Sequence, residues 1–314
     1  MERLTRALAR CLRQGWQIAP VESGWRLQHP EVAFEVFLQE THDWFCLMRP
    51  LTTAELATLA PDGQPFQLHQ HMLLRNRDLF MTRYGLDNEG QPLLLADVPQ
   101  HNASSFLLEV ALEAISKTRS DLETVALAKN SMAAHEGESG LSPETLLQYV
   151  NGIKLQMWKW GRRIAKPQVW HLQYLNQMRR FDIFFTSTRN WSYFELPLIE
   201  ERTLEAHGLD YVTEMHTYHI FLQYLLRLNY HFYMAKIALN QENQVLLLLE
   251  VPTSALDLPL FQLIASTLST YVDRYGQEIL VMSLLEPHQN LVSILELSRS
   301  FHQQSSIYHR SGGK

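Results

Sequence analysis

Apolar and polar positions along this chain follow a pattern that occurs twice. Residues 77–99 and 230–252 align without a gap at an offset of 153, with nine of 23 positions identical. Each segment has a polar centre between two apolar runs, which predicts a β-hairpin. A repeat this long predicts two copies of one domain, because solenoid units span about 20–50 residues. The identical pairs are Met81/Met234, Leu86/Leu239, Glu89/Glu242, Gln91/Gln244, Leu93/Leu246, Leu94/Leu247, Leu95/Leu248, Val98/Val251 and Pro99/Pro252.

The pattern continues on both sides of the hairpin. Downstream, apolar residues recur at helical spacing and at the same offset, which predicts a closing helix in each copy. Upstream the offset drops to 147, where residues 35–38 align with 182–185 and Trp44 aligns with Trp191. The change of offset places an insertion between the two blocks, where a loop tolerates it. The downstream pairs are Leu107/Leu260, Val110/Leu263, Ala111/Ile264 and Ile115/Leu268.

These patterns predict an α+β fold in which two tandem domains share the order α-β-β-β-α-β-β-α. Each domain should hold an antiparallel sheet with helices on one face, and the two domains should pack as a pseudo-dimer. The predicted divisions are a first domain at 1–127, a small polar linker at 128–142, a second domain at 143–285 and an extension with a tail at 286–314. The elements expected before each hairpin are helices 2–14 and 143–161, strands 16–28, 33–40, 44–49, 168–175, 180–187 and 191–196, and middle helices 66–74 and 215–227.

Composition and charge narrow the possible functions. The chain has 314 residues, of which 46% are hydrophobic, and a net charge of −6. This acidic balance argues against a dedicated nucleic-acid-binding protein, which needs a basic surface. Two cysteines make no disulfide framework, and no segment has the features of a secretory signal or a membrane span. We therefore expect a cytoplasmic protein.

Motifs that would indicate catalysis or a cofactor do not occur in the sequence. There is no phosphate-binding glycine loop and no nucleophile elbow. The pair His69/His71 has i, i+2 spacing and no further ligand at a convincing interval. His216 and His219 have i, i+3 spacing with Glu214 nearby, which differs from the i, i+4 spacing of the zinc-binding helix motif. We predict no enzyme activity, no cofactor and no metal site.

The doubled order resembles the fold of class I type III secretion chaperones, and more closely the YbjN-type branch of that fold. The resemblance implies a protein that binds protein partners and has no catalytic residues to carry over. It also implies that one chain imitates a homodimer of single-domain members, either as a monomer or associated further into a dimer. The segments that carry the resemblance are 225–230, 234–239 and 246–252 in the second copy, and 73–76, 81–86 and 93–99 in the first.

Apolar side chains occupy both alternation phases of the strands near 44 and 191. A half-exposed strand should alternate apolar with polar residues, so both sheet faces should be covered, by the domain's own elements, by the other copy or by a partner. Because exposed apolar patches mark interaction surfaces, the same residues are candidates for binding a partner protein. The candidates are Trp44, Cys46, Met48, Trp191 and Tyr193.

A second candidate surface combines cations with aromatic residues. Arg162, Arg163 and Lys166 lie between tryptophans, a mixture that can bind single-stranded nucleic acid. The same residues can instead extend from a helix end beside core tryptophans, and we favour that interpretation.

The leading hypothesis is therefore a non-enzymatic bacterial protein-binding module with a chaperone, escort or assembly role. The alternatives are a regulatory scaffold associated with single-stranded nucleic acid and, third, an enzyme of unknown class.

Overall fold

Two antiparallel sheets and their helices make up the part of the chain described by a computed structural model. The mixed α+β character predicted from the sequence is confirmed. None of the helices within the described ranges is long and apolar enough to cross a membrane. The described residues are 8–9, 11–13, 15–31, 34–100, 104–117, 140–153, 158–162, 169–176, 180–199 and 215–284.

The N-terminal half, up to residue 117, contains sheet 1 with the strand order β1-β2-β3-β4-β6-β5. All of its strand pairs are antiparallel. Its elements are β1 (Gln17–Val21), β2 (Gly24–Gln28), β3 (Val36–Glu40), β4 (Trp44–Pro50), α1 (Thr53–Leu59), α2 (Pro65–Asn76), β5 (Arg83–Leu86), β6 (Pro92–Pro99) and α3 (Ser104–Lys117).

The C-terminal half, from residue 140, contains sheet 2 with the order β7-β8-β9-β10-β12-β11. This order matches that of sheet 1 strand for strand, and the predicted hairpin is present in both halves. Its elements are α4 (Pro143–Gly152), β7 (Trp158–Arg162), β8 (Val169–Leu175), β9 (Arg180–Ser187), β10 (Trp191–Ile199), α5 (Met215–His231), β11 (Ala235–Leu239), β12 (Val245–Pro252), a 3₁₀ turn (Thr253–Ala255) and α6 (Leu258–Leu284).

The predicted strand 16–28 is wrong, because this segment is a hairpin of β1 and β2. The chain reverses at Glu22 and Ser23 and re-enters the sheet at Gly24, whose φ is +154°. A Cβ atom at Gly24 would lie 2.2 Å from the carbonyl oxygen of Leu38. Only glycine fits such a close backbone approach with positive φ. Four strands therefore precede the middle helix, instead of the predicted three.

The predicted helix 143–161 is also wrong in its second half. Helix α4 ends at Gly152, where a Cβ atom would lie 2.6 Å from Cδ1 of Leu258 on α6. Residues 158–162 instead form β7, the outer strand of sheet 2, paired with β8. Aromatic residues such as Trp158 and Trp160 favour strands, so their presence at the end of the predicted helix was evidence against it.

Buried side chains line one face of each sheet and the helices packed on it. In β4 and β10, residues alternate between fully buried and half-buried. The buried residues Phe45 and Leu47 share a core with α3, whereas Phe185 and Phe194 pack against Phe261 of α6. This face corresponds to the single helix-covered face that the sequence predicted.

The middle helices cover part of the opposite faces, which the prediction of helices on one face did not include. Helix α5 packs against β5 of sheet 1, and α2 packs against β11 of sheet 2. At Gly85 the fit is so close that a Cβ atom would lie 3.2 Å from the carbonyl oxygen of Leu226 on α5. Each middle helix therefore contacts the edge strand of the other half as well as that of its own half.

Candidate functional site

Half-exposed and exposed residues of β3, β4, β8, β9 and β10 form a second face on each sheet. We call these surfaces the open faces. Cross-strand pairing joins Phe37 to Met48 and Gln39 to Cys46 in sheet 1. In sheet 2 it joins Thr186 to Tyr193. The open face of sheet 1 consists of Phe37, Gln39, Trp44, Cys46 and Met48, and that of sheet 2 of His171, Phe184, Thr186, Trp191 and Tyr193.

All five partner-binding candidates lie on these open faces. Trp44, Cys46 and Met48 share one phase of β4, and Trp191 and Tyr193 share one phase of β10. Each of them is partly exposed. The structure thus brings the predicted residues of each half together on one surface.

The two tryptophans also contact the opposite half. The Trp44 ring stacks on Tyr233, with ring centroids 5.3 Å apart and planes at 7°. The Trp191 ring lies 4.9 Å from the ring of Phe80. Trp44 and Trp191 are aligned at the offset of 147, and Phe80 and Tyr233 at the offset of 153. The two contacts are therefore related by the internal repeat.

The Cys46 thiol is held in its protonated form. Burial, the negative charge of Asp97 and a hydrogen bond to that carboxylate all raise the thiol's pKa far above its ordinary range. Because the thiolate is the reactive form of cysteine, this environment disfavours a nucleophilic role for Cys46.

Two buried ion pairs lie beside the open faces and also follow the repeat. Arg83 of β5 pairs with Asp97 of β6 at 2.5 Å, and Lys236 of β11 pairs with Glu250 of β12 at 2.7 Å. All four side chains are buried. Arg83 donates to the carbonyl oxygen of Phe232, and Lys236 donates to that of Leu79. Each cation therefore joins a carboxylate of its own half to the backbone of the other half.

Two asparagines close the inner edges of the sheets at this interface. Asn76 ends α2 and Asn229 lies in the last turn of α5, and both are buried. The Nδ2 atoms of both donate to the carbonyl oxygens of Tyr84 and Ile237 at 3.0–3.1 Å. Their Oδ1 atoms accept from the Tyr84 and Ile237 amides at 2.6 Å. Strands β5 and β11 are edge strands, so the asparagines satisfy backbone groups that would otherwise be left unpaired.

Sequence reasoning aligned these polar pairs but did not assign them a role. Arg83/Lys236, Asp97/Glu250 and Asn76/Asn229 all fall at the offset of 153. The sequence did contain a sign of this role, because Lys236 and Glu250 are charged residues within strands that are otherwise apolar. A charge inside an apolar strand predicts a buried partner.

Only one residue of the second candidate surface, Arg162, lies within the described part of the chain. Arg163 and Lys166 lie outside the described residues. Arg162 lies on β7, where its backbone pairs with Trp170 of β8, and not at the helix end that the sequence suggested.

Among the histidine pairs, His69 and His71 both lie on α2, and His216 and His219 lie on α5. The described residues contain no group of three or more metal-ligating side chains that could hold an ion.

Comparison with known proteins does not add a family to this description. No protein-family model matches the chain, and no curated protein matches it in sequence.

Proposed function

We propose that the chain consists of two tandem chaperone-like domains, packed as an intramolecular pseudo-dimer, and that it binds other proteins without enzymatic activity. In this proposal the bound segment is extended or partly folded and lies on the open faces. The role is that of an ATP-independent escort or assembly factor in a bacterial cytoplasm. The resemblance to YbjN-type proteins is consistent with this role.

The observation that carries the proposal is the half-exposure of large apolar side chains on the open faces. In β4 and β10 the residues of the core face are buried, whereas Met48 and Tyr193 are partly exposed. Phe37 and Phe184 extend these surfaces onto the neighbouring strands. Clustered apolar side chains in contact with water favour association with a partner.

The proposal is tested by binding and by protection of a client. We expect the protein to bind a fluorescent apolar peptide and to suppress aggregation of a chemically denatured model protein without ATP. The substitutions Met48→Glu and Phe184→Glu place a charge on each open face and should weaken both activities at least tenfold.

Matched controls place the same change elsewhere on the surface. Leu12 and Leu147 are exposed by 56% and 39% and lie outside both open faces. Leu12→Glu and Leu147→Glu should leave binding unchanged. Equal losses in all four variants, or no binding by the unmodified protein, would contradict the proposal.

A further inference from the structure

Two histidines meet where α2 of the N-terminal half packs on α5 of the C-terminal half. Nδ1 of His69 lies 2.9 Å from Nε2 of His219. The two rings are stacked, with centroids 4.9 Å apart and planes at 29°. His69 is only 6% exposed, and the Phe66 ring packs against His219. The pair therefore forms a direct contact between the halves and involves none of the open-face residues.

The hydrogen bond at this contact requires at least one of the two imidazoles to be neutral. Nδ1 of His69 and Nε2 of His219 can share one proton, with the donor and acceptor set by the tautomers, and Nε2 of the Gln223 amide lies 3.4 Å from Nε2 of His219. A neutral imidazole has one acceptor nitrogen, and protonation turns it into a donor. When both imidazoles are protonated, two donors face each other and the bond between the helices is lost.

The surrounding charges also oppose protonation. Among the described residues, the titratable and charged groups that act on His69 are His219 and Arg227, both from α5. Burial has the largest effect, followed by these two groups, and together they lower the pKa of His69 from 6.5 to about 4. A charged imidazole would thus be placed in a poorly solvated site beside a guanidinium.

We propose that His69 and His219 form a pH-sensitive latch between the two halves, which holds α2 against α5 at neutral pH and loosens that contact on acidification. The inference rests on the geometry of the contact and is independent of the proposed binding activity. It adds a conformational response to pH that a purely structural interface would lack.

The direction of the response follows from proton linkage. The closed contact binds fewer protons than the open one between about pH 6.5 and pH 4, so acidification favours opening. The stabilising effect of the neutral pair is complete above pH 6.5 and is lost as the pH falls towards 4. For His69 alone, the opening equilibrium at pH 5 should exceed that at pH 7.5 about thirty-fold.

Hydrogen exchange on the full-length protein tests the latch. Protection factors, corrected for the intrinsic effect of pH, should fall between pH 7.5 and pH 5 in α2 and α5, and fall much less in β9 and β10. A histidine NMR titration should show that the His69 imidazole, identified by the loss of its signal in His69→Gln, resists protonation at pH 5.5. A His69 signal that titrates near pH 6.5 would overturn the proposal.

Variants that cannot titrate provide the second arm. His69→Gln and His219→Gln keep a hydrogen-bonding side chain and should each remove most of the pH-dependent loss of protection in α2 and α5. The control is His42→Gln, because the His42 side chain is 95% exposed. This control should behave as the unmodified protein does. A pH response that is the same in all three variants would overturn the latch.

Discussion

Single polar residues decide how the two halves of this molecule are joined. Four buried side chains donate hydrogen bonds from one half to the other. They are Asn76, Asn229, Arg83 and Lys236. Buried polar groups of this kind stabilise only when every partner is present, because an unpaired buried donor or acceptor keeps its full desolvation cost. These residues occupy equivalent positions of the sequence repeat. Their hydrogen-bond partners lie about 150 residues away in the chain, so the local sequence pattern could not identify them.

Removing one asparagine should destabilise the whole protein. Asn229→Ala leaves the Ile237 amide and two carbonyl oxygens without these bonds. We expect a loss of about 3 kcal/mol in the free energy of unfolding. Urea denaturation measures it, with Asn88→Ala in an exposed turn as the control. A change below about 1 kcal/mol, which is the size of one ordinary hydrogen bond, would contradict the role given to Asn229.

Breaking a buried ion pair should cost more than removing both of its charges. Lys236→Met leaves the Glu250 carboxylate buried without its cation, which should cost about 3–5 kcal/mol. Adding Glu250→Gln removes that uncompensated charge and should restore at least half of the loss. Thermal and urea unfolding of both single variants and the double variant would show it. A double variant whose loss equals the sum of the two single losses would contradict a coupled pair.

At the scale of elements, the strands were predictable where apolar residues alternate. Segments 33–40 and 180–187 nearly match β3 (Val36–Glu40) and β9 (Arg180–Ser187). The prediction failed beside Gly24 and Gly152, where atoms of another element approach too closely for a Cβ atom, because such tertiary contacts are not visible in local sequence. It also missed α1, whose start is fixed by a capping box between Thr52 and Glu55 and by the buried Arg49–Glu55 pair.

The tryptophans of the open faces should contribute to the contact between the halves. Trp44→Ala removes a half-buried ring stacked on Tyr233 and should cost about 2 kcal/mol, roughly half the value for a fully buried tryptophan. In a double-mutant cycle, Trp44→Ala and Tyr233→Ala should show a coupling energy of about 1 kcal/mol. The same cycle between Trp44 and Phe80, whose ring contacts Trp191 instead, should give none. Absence of coupling in the first cycle would show that the Trp44–Tyr233 stack does not stabilise the interface.

At the scale of the whole molecule, each middle helix contacts the edge strand of the other half, and the halves share buried polar contacts. The repeat in the sequence predicted two copies, but it could not predict that α5 covers β5 and α2 covers β11. The equivalent polar pairs add hydrogen bonds that reach across the interface and join the halves.

This arrangement predicts that the halves unfold together. Equilibrium urea denaturation followed by tryptophan fluorescence and by hydrogen exchange in each half should give coincident transitions. Asn229→Ala should shift the transitions of both halves equally. Two separated transitions, or a shift confined to one half, would show that the inter-half contacts are too weak to couple them.

The most direct test of the account is photo-crosslinking from the open faces in the source cells. A photoreactive amino acid would replace Met48 or Phe184 in turn, with Leu12 and Leu147 as matched exposed controls. The account predicts that both open-face positions crosslink to protein clients, that the same clients recur from each position, and that the controls do not capture them. Crosslinks no more frequent than those of the controls would contradict the claim that the open faces bind protein.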